Sequence, residues 1–385
     1  MTIQDKRTTW AQVHIDAMRG AAALIVALGH ARSLFFASVT GVSDAGQLTI
    51  GDEAVMVFFV LSGYLVGGSV IRDMGRHRWS WSNYLLKRLV RLWIVLIPAV
   101  FLGIAIDAIG FHFLAANGSI YSAPAGQTYV QTILSDQIKS IPIIIGNLFF
   151  LQTIVVPTVG TNSALWSLSN EFWYYLLFPM GMLAVRYERR LARRLAYAFG
   201  IVCIVGLIGA HAAFLFLPWL LGAGLAVVPR LIPAERANKV VSIAAVVFCV
   251  CFLEIKKLHL PLYVGEAAVA LLVGALLYAI ICQRTPQRPS LYGWVARWSS
   301  NLSYSLYLTH LPFLILICAL IDTPWTLSAL NAAVFAKFGI GMMGALALAC
   351  LIYYAFESRT DRTRDVIRGV FGKPRGGREE AVAGE

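Results

Sequence analysis

The stretch "MRGAAALIVALGHAR", residues 18–32, decides how the chain is to be read. It has the composition of a membrane-buried helix, yet it carries Arg19 at one end and His30 deep inside. Eleven residues is close to three helical turns, so both side chains project from one face. At 1.5 Å per residue they stand roughly 16 Å apart along the axis. In a bilayer-crossing helix, Arg19 would lie at the cytoplasmic interface and His30 past the midplane. An ionisable ring at that depth is costly and faces a cavity or a partner. Two readings stand: a neutral histidine hydrogen-bonded between helices, or a catalytic base whose basicity burial sets. The Arg19 spacing favours the second. A long ligand with phosphates in the cytosol and a reactive end inside the membrane touches both residues. Coenzyme A has that shape, a charged nucleotide followed by a thin pantetheine arm that ends in the thioester.

The 385 residues are 58% hydrophobic and 14% charged, with a mean hydropathy of +0.71. A soluble protein needs more surface charge than this. Apolar runs of about 18 residues or more recur along the chain, each long enough to span a bilayer. The fold class expected is an all-α integral membrane protein with about ten transmembrane helices. They are expected near 17–38, 53–71, 89–110, 168–186, 195–211, 212–229, 239–255, 262–282, 302–321 and 333–356. The run "IPIIIGNLFFLQTIVVP" (141–157) is short and bracketed by prolines, which suits an interfacial or re-entrant piece. With the N-terminus cytoplasmic, all of the 32 Lys and Arg except Arg32, Lys139, Lys256, Lys257 and Lys337 fall on the inner side. That bias predicts N-in and C-in.

The net charge of +12 is therefore mostly topology and calls for no nucleic acid. Part of it can hold anionic head groups or an anionic cytosolic ligand. One long outer loop, 111–165, joins the third and fourth spans and can cover a site. Residues 1–369 read as the transmembrane domain, and the tail 370–385 as disordered. No cleavable signal peptide is expected, because the first apolar run is charged at both ends. The six cysteines lie in apolar runs without a C-x-x-C pair and read as small buried hydrophobes. No G-x-x-x-x-G-K-[ST], H-E-x-x-H, G-x-S-x-G or Cys/His cluster occurs, so neither an ATPase, a zinc protease, a serine-elbow hydrolase nor a metal site is expected.

Other polar insertions suit a ligand tunnel. "NYLLKRLVRLW" (83–93) places Lys87, Arg88 and Arg91 at the cytoplasmic start of the third helix, either as phosphate ligands or as an ordinary basic flank. "FFVLSGYLVGG" (58–68) puts Ser62 and Gly63 mid-helix, where small residues let helices or a ligand approach. "LWSLSNEFWYYLLFP" (165–179) places Glu171 in the first turn of the fourth helix, on the outer side. Around it stand Trp166, Trp173, Tyr174 and Tyr175, which are an interfacial belt or the wall of a sugar site. "NLSYSLYLTHLPF" (301–313) carries Tyr307 and His310 three apart on the ninth helix, candidates to line the cavity. "YYAFESR" (353–359) sets Glu357 and Arg359 at the cytoplasmic face, with Glu357 expected to pair with Arg19 or Arg88.

These residues resemble the acyltransferase-3 family of membrane acyltransferases. The likeness runs through "HIDAMRGAAALIVALGHAR" (14–32), "AVMVFFVLSGYLVG" (54–67), "YLLKRLVRLW" (84–93), "LWSLSNEFWYYLLFP", "NLSYSLYLTHLPF" and "AFES", in the family's order over nearly the whole chain. It implies O-acyl transfer, commonly of acetyl from acetyl-CoA, to a hydroxyl of a cell-envelope or exported carbohydrate, in the bacterial inner membrane. It implies that Arg19 and His30 are the functional pair, that Arg88 and Arg91 serve the donor, and that Glu171 belongs to the site. With Lys87 they give a donor site, and Ser62, Trp166, Tyr174, Tyr307 and His310 are the expected acceptor contacts. Some positions depart from the family pattern. Trp93-Ile94 follows the third-helix basic residues where Tyr-Pro is common, Met56-Val57 replaces an acidic residue before Phe-Phe, and Ser358 and Arg359 follow Glu357. No second, soluble hydrolase-like segment lies in these residues, so this domain is expected to deliver the acyl group itself. The rival expectation is a transporter or flippase without acyl transfer. It lacks the inverted repeat common among transporters.

Overall fold

The structure, a computed structural model, describes residues 9–36, 50–115, 118–122, 140–329 and 331–371. Residues 123–139 of the expected outer loop and 372–385 of the expected tail lie outside the described residues. No β-strand occurs among those described. Eight of their helices are long and apolar enough to cross a membrane.

Helix α1 spans Trp10–Phe35. It starts seven residues before the expected span, because Thr9 and Gln12 form a reciprocal capping box that extends it into a polar first turn. Helix α2 (Ile50–Ser62) passes through a π-helical turn at Gly63–Gly67 into α3 (Gly68–Gly75) without leaving the helical path. Helix α4 covers Trp81–Ile109. Helix α5 (Ile141–Leu148) has eight residues, or about 12 Å, too short to span. Helix α6 spans Trp166–Met182, and α7 Leu191–Leu225. Then come α8 (Ala234–Glu254), α9 (Leu262–Ile281), α10 (Leu291–Ile321), α11 (Ala332–Ala355) and the amphipathic α12 (Thr360–Phe371). Residues 370 and 371, expected in the tail, are thus helical.

Within α7, Gly209 adopts φ 80° and ψ 173°, a break that glycine tolerates. Contacts with α6 show what the break does. Before it, Arg194 reaches the Ala184 carbonyl and Gly200 packs on Met180. After it, Tyr174 donates to the Ala212 carbonyl and Phe178 packs on Trp219. The partner number falls along the first half and rises along the second, so the chain direction reverses at Gly209.

Close backbone approach fixes the central helices. A Cβ on Gly63 would sit 1.8 Å from the Trp219 carbonyl oxygen, and one on Gly222 would sit 1.9 Å from that of Val60. Without a hydrophobic drive between helices in lipid, such small-residue contacts supply the packing. Two prolines leave carbonyls for other elements to use. Pro312 removes the helical donor for Leu308, whose oxygen accepts from Asn162 Nδ2 at 2.8 Å. Pro179 does the same for Tyr175, whose oxygen accepts from Tyr84 at 2.9 Å. Asn162 is itself placed by its neighbours. Asp107 takes hydrogen bonds from the Thr161 backbone (2.8 Å) and hydroxyl (2.7 Å), beside Gly160 at φ +60°.

After α11, buried Glu357 gathers three helices. It accepts from Arg91 Nη1 at 2.6 Å and from Ser305 Oγ at 2.5 Å. Its expected partners, Arg19 and Arg88, are not the ones found: Arg91 lies on the α4 face turned to α10 and α11. Truncating one member of such a pair strands the other. E357M should lower stability, and E357M/R91M should recover part of the loss, as thermal unfolding in detergent will read. G63V, which drives a side chain into Trp219 backbone, should cost about 1–3 kcal/mol. G181A, with nothing within 4 Å of its new Cβ, is the matched control.

Candidate active site

A cavity of about 390 Å³ opens among α1, α2, α4, α6, α10 and α12. Seven expected site residues line it: Arg19, Lys87, Arg88, Arg91, Ser62, Glu171 and Tyr307. Arg19 sits in the third turn of an intact α1 and lines this space. Glu171 lies in the second turn of α6, not the first, because the helix begins at Trp166.

The charges fall into two groups. Arg91 is neutralised by Glu357 and also stacks over the Tyr304 ring at 4.9 Å. Arg19 and Lys87 have no ion pair or hydrogen bond among the described residues. Arg88 touches the Tyr84 and Tyr175 rings at 5.5 and 5.7 Å and reaches Ser69 Oγ at 3.4 Å, while its buried Nε has no partner. Lys87 and Arg88 thus face the cavity without an ion pair, and Arg19 does so within the field of Asp16, Glu357 and Glu171, an arrangement that leaves room for an anion. Glu171 is the inner carboxylate of the cavity. Its Oε1 accepts from Ser62 Oγ at 2.8 Å and from the Tyr175 hydroxyl, and Trp219 Nε1 donates to Ser62 Oγ at 3.1 Å. The π-turn that follows Ser62 belongs to the same network, and such turns recur at functional sites.

His30 does not line this cavity. Its Nδ1 lies 2.8 Å from His310 Nε2, and His310 Nδ1 lies 2.9 Å from the Leu306 carbonyl oxygen. That carbonyl only accepts, so His310 Nδ1 carries the hydrogen. In the neutral pair His310 Nε2 then accepts from His30 Nδ1–H, and His30 Nε2 is left with its lone pair. His30 as a residue is half-buried, whereas His310 is fully buried. His310, expected to line the cavity, thus serves as the partner of His30.

Tyr307 and Phe58 separate the two sites. Tyr307 bonds Ser167 Oγ at 2.7 Å, meets Phe58 edge-on at 5.6 Å and lies 6.1 Å from the His310 ring. Tyr174 is fully buried on the Ala212 carbonyl and Trp166 packs on Phe59; neither lines the cavity. Tyr175, named in the sequence only as a neighbour of Glu171, lines the cavity one turn beyond it, and Thr360, Asp361 and Arg364 of α12, passed over in the sequence, line it too.

The family model of an acyltransferase domain matches residues 13–354. A protein of Bacillus subtilis (strain 168), named "Putative peptidoglycan O-acetyltransferase YrhL", is 24% identical over an alignment of 357 residues that covers 83% of this chain. This chain spans about half of that relative, 52% of its length. No solved structure matches. The helices, the six ordered motifs and the match over residues 13–354 agree: the chain belongs to the acyltransferase-3 family.

Proposed function

We propose that this domain is a membrane O-acetyltransferase that moves an acetyl group from cytosolic acetyl-CoA to a hydroxyl of a bacterial cell-envelope carbohydrate. Ten spans with both ends in the cytosol follow from counting α6 as a span and α7 as two joined at Gly209. The basic residues of the inner loops support that orientation, and the bacterial inner membrane is the membrane that fits it.

The observation that carries the proposal is the His30–His310 bond, which leaves a bare Nε2 on the same helix face as the cavity-lining Arg19. The donor's phosphates bind at Lys87 and Arg88 and its arm runs past Arg19 and Glu171. His30 Nε2 takes the proton of the acceptor hydroxyl as its oxygen attacks the thioester carbonyl. The carbon–sulfur bond breaks, and the departing thiolate takes the proton back from His30. For the arm to reach His30, the Tyr307–Phe58 partition must swing aside. Peptidoglycan, the substrate class in the relative's name, is the first acceptor to test. A transporter would need neither the fixed tautomer nor the base.

H30A should abolish acetyl transfer from acetyl-CoA to muropeptides by the protein in lipid while unfolding at the wild-type temperature. An active H30A protein would overturn the mechanism. H310A should lower turnover by about 10²–10⁴-fold, the usual worth of a positioned general base. H310Q, whose carbonyl still accepts from His30 Nδ1, should recover part of that and restore the wild-type pH profile. Equal loss in H310A and H310Q would leave His310 a packing role.

A further inference from the structure

A second basic pocket adjoins the cavity on its cytoplasmic side. It encloses about 500 Å³ between the start of α1, the inner end of α2–α3, the segment after α7 and the end of α9. Arg72, Arg230 and Arg284 line it, and no carboxylate does. Among the described residues none of the three guanidiniums has an ion pair. Gln283 also lines the pocket. It is 6% exposed, and its Oε1 has no partner, while its Nε2 bonds Asn238 at 2.8 Å. A buried acceptor beside three uncompensated cations calls for a ligand that brings both a phosphate and an N–H or O–H donor.

The two pockets are neighbours. Leu65 lines both. Leu65, Ser69 and Arg72 follow one another at helical spacing along one stripe. Ser69 holds the guanidinium of Arg88, so Arg88 and Arg72 flank adjacent turns of the same helix.

We propose that the Arg72–Arg230–Arg284 pocket binds the 3′-phosphate and adenosine of the donor, while Lys87 and Arg88 bind its pyrophosphate. This rests on the acetyl-CoA reading above and deepens it. Coenzyme A carries its phosphates in two groups set apart by a ribose, and two basic pockets set apart by one helix stripe match that division. The adenine amino group or a ribose hydroxyl supplies the donor for Gln283. The assignment makes the domain selective for free acyl-CoA over any thioester carrier that has the pantetheine arm and lacks the 3′-phosphate.

The test is binding, which needs no acceptor. The full chain in lipid nanodiscs is titrated calorimetrically with coenzyme A and with 3′-dephospho-coenzyme A. Charge-assisted contacts of this kind predict about 10- to 100-fold tighter binding of coenzyme A. In R72Q/R230Q/R284Q the ratio should fall toward one, with R284Q alone as the second variant should the triple variant fail to fold. Equal affinities in the wild type would overturn the inference and leave the donor reading standing. So would a ratio that persists in the variants, or a variant that keeps the ratio and loses copurified anionic phospholipid, which would mark a headgroup site. Binding of neither ligand would overturn the donor reading and this inference with it.

Discussion

The hydrogen bond between His30 and His310 is the constraint around which the rest is arranged. In a low-dielectric interior a histidine pair holds one tautomer only where a fixed group decides it, and the Leu306 carbonyl is that group. The carbonyl stays fixed because α10 is pinned from several sides. Asn162 takes the oxygen that Pro312 frees, two residues from His310. Glu357 holds Ser305 one residue before Leu306. Asp107 holds Thr161, and through it the loop that carries Asn162. Groups as far apart in sequence as residues 107 and 357 thus converge on the direction of one lone pair at His30.

The distribution of charge follows a second logic. Arg91 and Glu357 cancel each other and tie helices together; Arg19, Lys87 and Arg88 form no ion pair around open space. Burying a guanidinium without a carboxylate is unfavourable unless a ligand completes it. The aromatic faces of Tyr84 and Tyr175 soften that cost at Arg88 without using up its charge. The contrast between Arg91 and Arg88, three residues apart on one helix, separates structural from ligand-facing cations better than position relative to the membrane does.

Much of this was legible in the sequence. Helical periodicity alone puts Arg19 and His30 on one face, and an unbroken α1 keeps them there. The proline-bracketed run after residue 140 is indeed too short to span. The break at Gly209 falls within the segment where apolar length alone divides two spans. What stayed hidden depends on tertiary approach. Nothing local tells that His310 turns to α1 and not to the cavity, that Glu357 selects Arg91, or that Tyr174 faces α7. Helix ends ran longer than expected, as at Trp10 and Leu291, because terminal turns are polar and an apolar run stops while the backbone hydrogen bonding does not.

The closed partition between cavity and histidine pair has a consequence for the proposed reaction. A thioester held next to a general base in open contact with water hydrolyses, which wastes the donor. Tyr307, bonded to Ser167 and leaning on Phe58, keeps donor cavity and base apart in this state. Chemistry then requires a rearrangement of two side chains, not of whole helices, and that rearrangement decides when the thioester meets Nε2. Linking it to acceptor arrival would suppress hydrolysis by keeping water from the thioester until the hydroxyl is in place. Ser167 lies on α6 just after the loop that carries Asn162, so the segment that pins α10 also holds the partition shut.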